Sequence, residues 1–378
     1  MYPAVASCLL LFAAQDSAAF VTRLGRDTLV VERFARVSNR LQADVVMRVP
    51  ATSRIRYVLD LSPSGELSRL ETVISSPARR EVITRQGDSL RIEITNTGAT
   101  RVRTVAAEGR VLPFLDMVHW PFELVLMRLK SSSSSQTAQP LLSGSRVASF
   151  DVAVLGPDSM TITHPTRGTM RVRVDAAGRL LALDAGATTR KLSVERRAWR
   201  AVDLDALVGR WSALDAAGRS VGALSGRRTD TATIGAATII VDHGTPAKRG
   251  RAIWGALVPF GQVWRTGANH ATHFTTDRDL VLGAGTRTLT VPAGRYTLFS
   301  IPEAGGGVLI VSRDTGQAGT SYNAERDLGR VPLATRALAE PVEVFTLAVT
   351  PEGDAGAIRL QWDRSELFVR FTVAARPE

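Results

Sequence analysis

Apolar and polar residues alternate with a period of two through most of this chain, and that pattern constrains its fold more than any other feature. Successive side chains on a strand point to opposite faces, so sustained alternation marks a sheet with one face buried and one in water. From about Asp27 the alternation runs through Leu29–Val31, Ala43–Val49, Arg56–Leu61, Leu67–Ile74, Leu90–Ile94 and Val102–Val105. It resumes at Ala148 and continues through Thr161–Thr163, Thr169–Val174, Leu180–Leu183 and Lys191–Val194. Turn residues fall about every 8–12 positions, the spacing of an antiparallel meander.

One segment breaks the period. Residues 111–130 are densely apolar; Pro121 suits a first helical turn and Phe122–Leu129 can continue it. Ser131–Pro140 is low in complexity and reads as loop. The expected first domain is therefore an antiparallel curved sheet or half-barrel with a helical segment. It is similar in outline to periplasmic lipoprotein-carrier half-barrels, in which such an element covers an apolar cavity. Methionines and aromatics in it would adapt to varied acyl chains. Alternatively, the segment simply fills the sheet's core.

With 378 residues the chain has room for two domains, each able to bury its own core. Segment 206–228 reads as the linker, with a short helical pattern from Asp203 to Trp211 behind a good N-cap. Beyond it, Ala237–Val241, Arg287–Val291, Tyr296–Ile301, Val308–Val311, Val342–Val349, Ile358–Trp362 and Leu367–Val373 form short, evenly spaced strands. In the last, Leu367, Val369, Phe371 and Val373 share one face, Arg370 and Thr372 the other. This predicts a C-terminal β-sandwich or jelly-roll-like domain over 229–378, following a mainly β domain over 20–205. The echo Asp175–Arg179, Asp215–Arg219 and, more loosely, Ser62–Glu66 reads as a reused hairpin turn. One carboxylate per loop is too few for calcium.

The net charge is +11, carried almost wholly by arginine, since Lys130, Lys191 and Lys248 are the only lysines. The excess is +9 over residues 1–210 and +2 over 211–378. Arginines alternate singly, as in Arg54-Ile-Arg56, Arg101-Val-Arg103 and Arg171-Val-Arg173, which is the solvated face of a sheet and not a nucleic-acid stripe. Cys8 is the only cysteine, so an intramolecular disulfide or a cysteine zinc site is excluded. It lies in the apolar run Val5–Ala14, followed by small residues through Ala19. Residues 1–19 thus resemble a secretory signal, cut after Ala14 or Ala19, although the basic n-region is missing. Val5–Cys8 also resembles a lipoprotein cleavage box. No later segment is apolar enough to span a membrane. The expected product is periplasmic or secreted, and soluble after processing.

Residues 242–302 carry the most specific sequence. Val263–Asn269 reads Val-Trp-Arg-Thr-Gly-Ala-Asn, supported by Arg249-Gly-Arg251, Val291-Pro-Ala-Gly294 and Gly316–Tyr322. On these motifs, about Thr229 to Ala374 resembles a bacterial family known as domain of unknown function 2911. The resemblance implies a domain and an exported compartment but no reaction, and it assigns no catalytic residue. Where family members often have an acidic residue after the asparagine, this chain has His270.

Trp264, Arg265 and Asn269 together offer a stacking face, a forked cation and a bidentate amide, with Arg251 and Tyr322 as flanks. Such a set suits a small polar ligand with a flat face, such as a sugar, or a cell-envelope component. In the packing alternative, Trp264 fills the core, Arg265 pairs with a carboxylate such as Asp242, and Asn269 closes a turn. His270 and His273, three apart, converge with His243 only off a strand, so no metal is expected. Gly222–Gly226 lacks the order of a serine-hydrolase elbow. The pairs Asp277/Asp279 and Glu340/Glu343 do not read as facing glycosidase carboxylates, and Gly305–Gly307 reads as a hairpin turn. No cofactor is expected. The sequence thus points to an exported non-enzymatic binding module. The alternatives are a lipid or lipoprotein carrier acting through the first domain, and a hydrolase needing His243 or His273 beside a carboxylate and a hydroxyl.

Overall fold

A computed structural model describes residues 16–374. The chain divides into two compact units that meet in sequence at Gly222 and Ala223. Both are mainly β, each built on one sheet.

In the first unit, eight strands follow one another: β1 (Asp16–Leu24), β2 (Asp27–Val37), β3 (Arg40–Met47), β4 (Ser53–Leu61), β5 (Leu67–Ile74), β6 (Arg79–Gln86), β7 (Ser89–Asn96) and β8 (Ala99–Ala106). A short β9 (Leu112–Pro113) and helix α1 (Trp120–Lys130) interrupt the series. The return arm is β10 (Gln136–Ser143), β11 (Arg146–Val154), β12 (Ser159–His164), β13 (Gly168–Val174), β14 (Leu180–Asp184) and β15 (Ser193–Arg197). The order β8-β7-β6-β5-β4-β3-β2-β1-β15-β14-β13-β12-β11-β10-β9 makes β1 the seam between two meanders. All pairings are antiparallel except β9 with β10.

The sheet curls around α1. Contacts reach the helix from strands far apart in the order: Glu32 of β2 accepts its first amides, Tyr57 of β4 lies 5.9 Å from Trp120, Gln139 of β10 bonds Arg128, and Leu180 of β14 bonds Glu123. The far ends also approach, since Arg103 of β8 donates to the Gly144 carbonyl at the β10–β11 turn, 3.1 Å. As expected, Pro121 lies in the first turn of α1, and eight of the helix's residues, Trp120 to Leu126 and Leu129, are buried. On β13 Met170, Val172 and Val174 are buried while Arg171 and Arg173 face solvent, the alternation read from the sequence.

The structure departs from the sequence reading in several places, among them the expected linker 206–228, where residues 204–216 are helical and a strand begins at Ser225. Residues Asp16–Ala19, included in the leader-like segment, begin β1, and Ala18 and Ala19 are buried in the sheet's seam. Cys8 and the run Val5–Ala14 lie outside the described residues. The serine-rich loop is shorter than expected, because β10 begins at Gln136 and pairs along β11. Asp215–Arg219 is no hairpin. It ends helix α2 (Leu204–Ala216), with Gly218 at φ +71 beyond the cap, whereas Asp175–Arg179 does join β13 to β14. A glycine at positive φ serves a helix end and a strand turn equally, so only context separates them. Asp203 caps α2 through the Asp205 and Ala206 amides, and Leu204, Leu207 and Trp211 pack on Val31 and Val46.

The second unit contains β16 (Ser225–Ile234), β17 (Ala237–Pro246), β18 (Thr272–Thr276), β19 (Leu280–Ala284), β20 (Arg287–Val291), β21 (Gly294–Glu303), β22 (Gly306–Ser312), β23 (Asp327–Glu352) and β24 (Ala355–Val373). Their order is β16-β17-β18-β21-β22-β23-β24-β19-β20. The long β23 pairs with β22 through its first residues and with β24 thereafter, carrying one sheet over into the opposing layer. Ile239, Phe274, Leu298 and Val311 of one layer meet Leu282, Phe345, Leu360 and Phe371 of the other, forming the sandwich core.

Candidate functional site

The motif Val263–Asn269 enters the second unit between β17 and β18. Trp264 exchanges two backbone hydrogen bonds with Ser300 of β21, 2.7 and 2.9 Å. Its indole turns toward the core, stacked at 6.1 Å on Trp362 and edge-on to Trp254 and Phe345. Thr266, fully buried at φ +50, donates to the Ser300 hydroxyl at 2.9 Å, and Thr272 donates to the Thr266 carbonyl at 2.8 Å. The loop lies directly on Gly244, where an added Cβ would come 2.0 Å from the Ala268 carbonyl oxygen.

Trp264 is half-buried and packs against the core from its edge, and exposed Asn269, at φ +64, turns the chain and accepts the Gly319 amide at 3.3 Å, both close to the packing alternative. Arg265 departs from it. Asp242 is engaged by Arg227 across β16–β17, and Arg265 instead donates to the Gly267 carbonyl at 3.4 Å. The register of the two strands sets Arg227 diagonally beside Asp242. Arg265 and Asn269 both border Gly319, whereas Arg251 donates to the carbonyls of Ala247 and Lys248, and the Tyr322 hydroxyl is held between Asp327 and Arg330. Arg265 and Asn269 thus share a neighbour, while Arg251 and Tyr322 are engaged elsewhere.

The histidines diverge. His273 is the register partner of Asp242 and its Nε2 accepts the Gly316 amide at 2.9 Å; His243, one residue along β17, faces the other way onto Phe345. His270 is exposed beside Ala318. Burial depresses the pKa of His243 and of His273. Among the described residues no group of three or more His, Cys, Asp or Glu is placed to hold a metal ion. Asp277 and Asp279 each accept a distant backbone amide, of Thr238 and Ala293, and so tie neighbouring segments together.

A better-formed concavity lies in the first unit, at the head of α1. It is a narrow cleft with about 30 Å³ of cavity space, room for one or two waters as it stands. Phe114, Met117, Val118, Phe122, Met170 and Leu192 supply its apolar walls. The loop before the helix is pinned on both sides. Phe114 donates its amide to Leu142, and at the other end the buried Glu32 accepts the His119 amide at 2.8 Å and the Trp120 amide at 3.2 Å. A carboxylate there satisfies orphan amides and meets the positive end of the helix dipole. His119 Nδ1 lies 3.3 Å from the same carboxylate and 3.2 Å from the Thr22 hydroxyl.

At the mouth, Asp116 receives Arg167 on one oxygen, 2.7 Å, and Arg190 on the other. His164 sits between the Phe114 and Phe150 rings, 5.3 and 4.7 Å away. Its Nδ1 accepts the Thr166 amide at 3.1 Å, and its buried Nε2 has no hydrogen-bond partner. Burial, reinforced by the nearby Arg167, pushes its pKa down to about 4, so the ring is neutral at pH 7. The sequence reading treats residues 111–130 as a helical segment and singles out none of Asp116, His119, His164, Arg167 and Arg190; the polar Asp116 and His119 inside that apolar run were the available signal.

Residues 225–371 match the model of a family described as "Protein of unknown function (DUF2911)". No curated protein matches the chain. Among solved structures, the chain is similar to a beta-barrel-like protein of domain of unknown function DUF1849 from Brucella abortus. The two share 10% sequence identity over 48% of this chain and 94% of that one, with a TM-score of 0.34.

Proposed function

We propose that this chain is an exported, non-enzymatic binding protein whose ligand enters the cleft at the head of α1. The observation that supports the reading is the cleft itself, a narrow apolar slot with a few polar groups at one end that a ligand would have to widen from about 30 Å³. Its ionisable groups at the mouth are committed to each other, Asp116 to two guanidiniums, which suits holding a ligand better than moving protons. The carrier reading keeps its place in the fold but loses capacity. Helix α1 fills the concave face with Trp120, Val125, Leu126 and Leu129. Export to the periplasm or medium rests on the Val5–Ala14 run.

The test is titration of the full-length mature protein with the neutral apolar dye N-phenyl-1-naphthylamine. Saturable fluorescence enhancement is expected, and Met170→Trp, which fills the cleft from β13, should abolish it while circular dichroism stays unchanged. An enhancement indifferent to Met170→Trp, or none in the parent protein, would overturn the reading.

A further inference from the structure

Two motif segments of the second unit, Val263–Asn269 and Gly316–Tyr322, lie against each other. Phe274 and Leu298 point into the sandwich core, so their neighbours His273 and Thr297, paired in register on β18 and β21, point out of it. Residues 313–326, which join β22 to β23, cross this outer face as a strap. The Gly316 amide donates to His273 Nε2 at 2.9 Å and the Gln317 side-chain amide to the Thr297 hydroxyl at 3.2 Å, which in turn donates to the Asp314 carbonyl at 2.7 Å. Further along, the Gly319 amide reaches the Asn269 carbonyl at 3.3 Å and Ala318 forms a β-bridge with His270. From Arg313 to Ser321 the strap has no apolar side chain larger than that of Ala318. Hydrogen bonds therefore hold it down, and segments with little apolar burial are the ones that open locally.

We infer that His273 is a pH-sensitive latch, whose neutral ring holds the strap over the Val263–Asn269 loop and whose protonation releases it. A ring nitrogen that accepts an amide carries no proton, so the one proton of neutral His273 sits on Nδ1, which is buried with no partner. A second proton sets an Nε2–H against the Gly316 N–H and leaves the cation, 6% exposed, without an acceptor on either nitrogen. The charged groups around the ring give little relief. Asp242 on β17 is engaged by Arg227 of β16, Arg295 on β21 adds a second positive charge, His270 lies in the motif loop, and Asp314 in the strap is paired with Arg326. Burial, with Arg295 next, holds the ring below its ordinary pKa of 6.5, and opening the strap to water restores that value. Opening thus takes up a proton, so its equilibrium constant rises about tenfold for each pH unit below about 6.5 until the closed ring itself titrates. The latch lies in the second unit and does not depend on the cleft being a ligand site.

The experiment is hydrogen exchange by mass spectrometry on the full chain across about pH 7.5–4.5, each rate corrected for the pH dependence of intrinsic exchange. Peptides covering residues 314–322 are expected to lose protection by up to about tenfold per pH unit below about 6.5, ahead of peptides from β21 and β22. His273→Gln offers the Gly316 amide an oxygen that does not titrate in this range, and it should flatten the profile with circular dichroism unchanged. Should that variant lose its fold, ring-proton NMR of the parent protein decides, with His273 expected to titrate below 6.5. Strap protection that persists to the acid end, or that falls together with β21 and β22, overturns the latch. So does an equal pH dependence in His273→Gln, or a His273 ring that titrates at or above 6.5.

Discussion

Glu32→Ala tests the way the sheet holds its helix. The Glu32 side chain is fully buried, and its two oxygens accept the His119 and Trp120 amides at the start of α1. Truncation leaves both amides without an acceptor inside the fold, at about 1–3 kcal/mol each. Against that, the variant no longer buries a carboxylate, whose desolvation opposes folding. The balance is a loss of about 2–4 kcal/mol, drawn from the lower part of the two-amide range because the relieved desolvation offsets the rest. For a unit of this size that is a fall of roughly 5–15 °C in the Tm of the first unit. Differential scanning calorimetry of the full chain reads the shift, and hydrogen exchange over residues 114–124 localises it to the helix start. Glu32→Gln, which keeps one acceptor oxygen, should fall between. A Tm within about 2 °C of the parent, with the His119 and Trp120 amides still protected, would show that the carboxylate does not anchor the helix.

Glu123, buried in α1 against Arg196 and the Leu180 amide, has its pKa pushed up to about 8 by burial, with Arg196 opposing. A carboxyl that is a stronger proton binder folded than unfolded stabilises the fold below about pH 4.5 and loses that contribution as pH rises toward 8. The urea midpoint of the first unit should therefore decline over that window, and Glu123→Gln should flatten the decline; an equally steep slope in the variant would refute it. Gly244→Ala, in which the new Cβ meets Ala268 backbone atoms from 2.0 to 2.8 Å away, should destabilise the second unit by about 3 kcal/mol or more and release the 264–270 loop. Unchanged unfolding would mean that the loop shifts at little cost. If the leader-like run is cleaved as proposed, intact mass should place the first residue at Gln15, because a start at Phe20 removes the Asp16 partner of Arg196 and two buried alanines from β1. Recovery of a stable protein beginning at Phe20 would contradict this.

The sheet pattern was legible because it is written locally. Leu67–Ile74 and Arg287–Val291 have the bounds read from alternation, and Leu367, Val369 and Phe371 are buried beside exposed Arg370 and Thr372. The strands that escaped notice lack that contrast. β6 holds only Ile83 fully buried, and β1, at the seam of the sheet, is so apolar that it merges with the leader-like run.

By itself the sequence determined the fold class, the interruption at α1 and the arginine-studded outer face, since each depends on spacing within a few residues. Only the tertiary structure decided that Trp264 packs against the core and that Asp116, His164, Arg167 and Arg190 line one cleft. Those four lie in the loop before α1, at the end of β12, in the β12–β13 turn and in the β14–β15 connection. Their meeting depends on the curl of a 15-stranded sheet around a helix. That curl is a property of the sheet's closure onto its core, and no local run of residues encodes it.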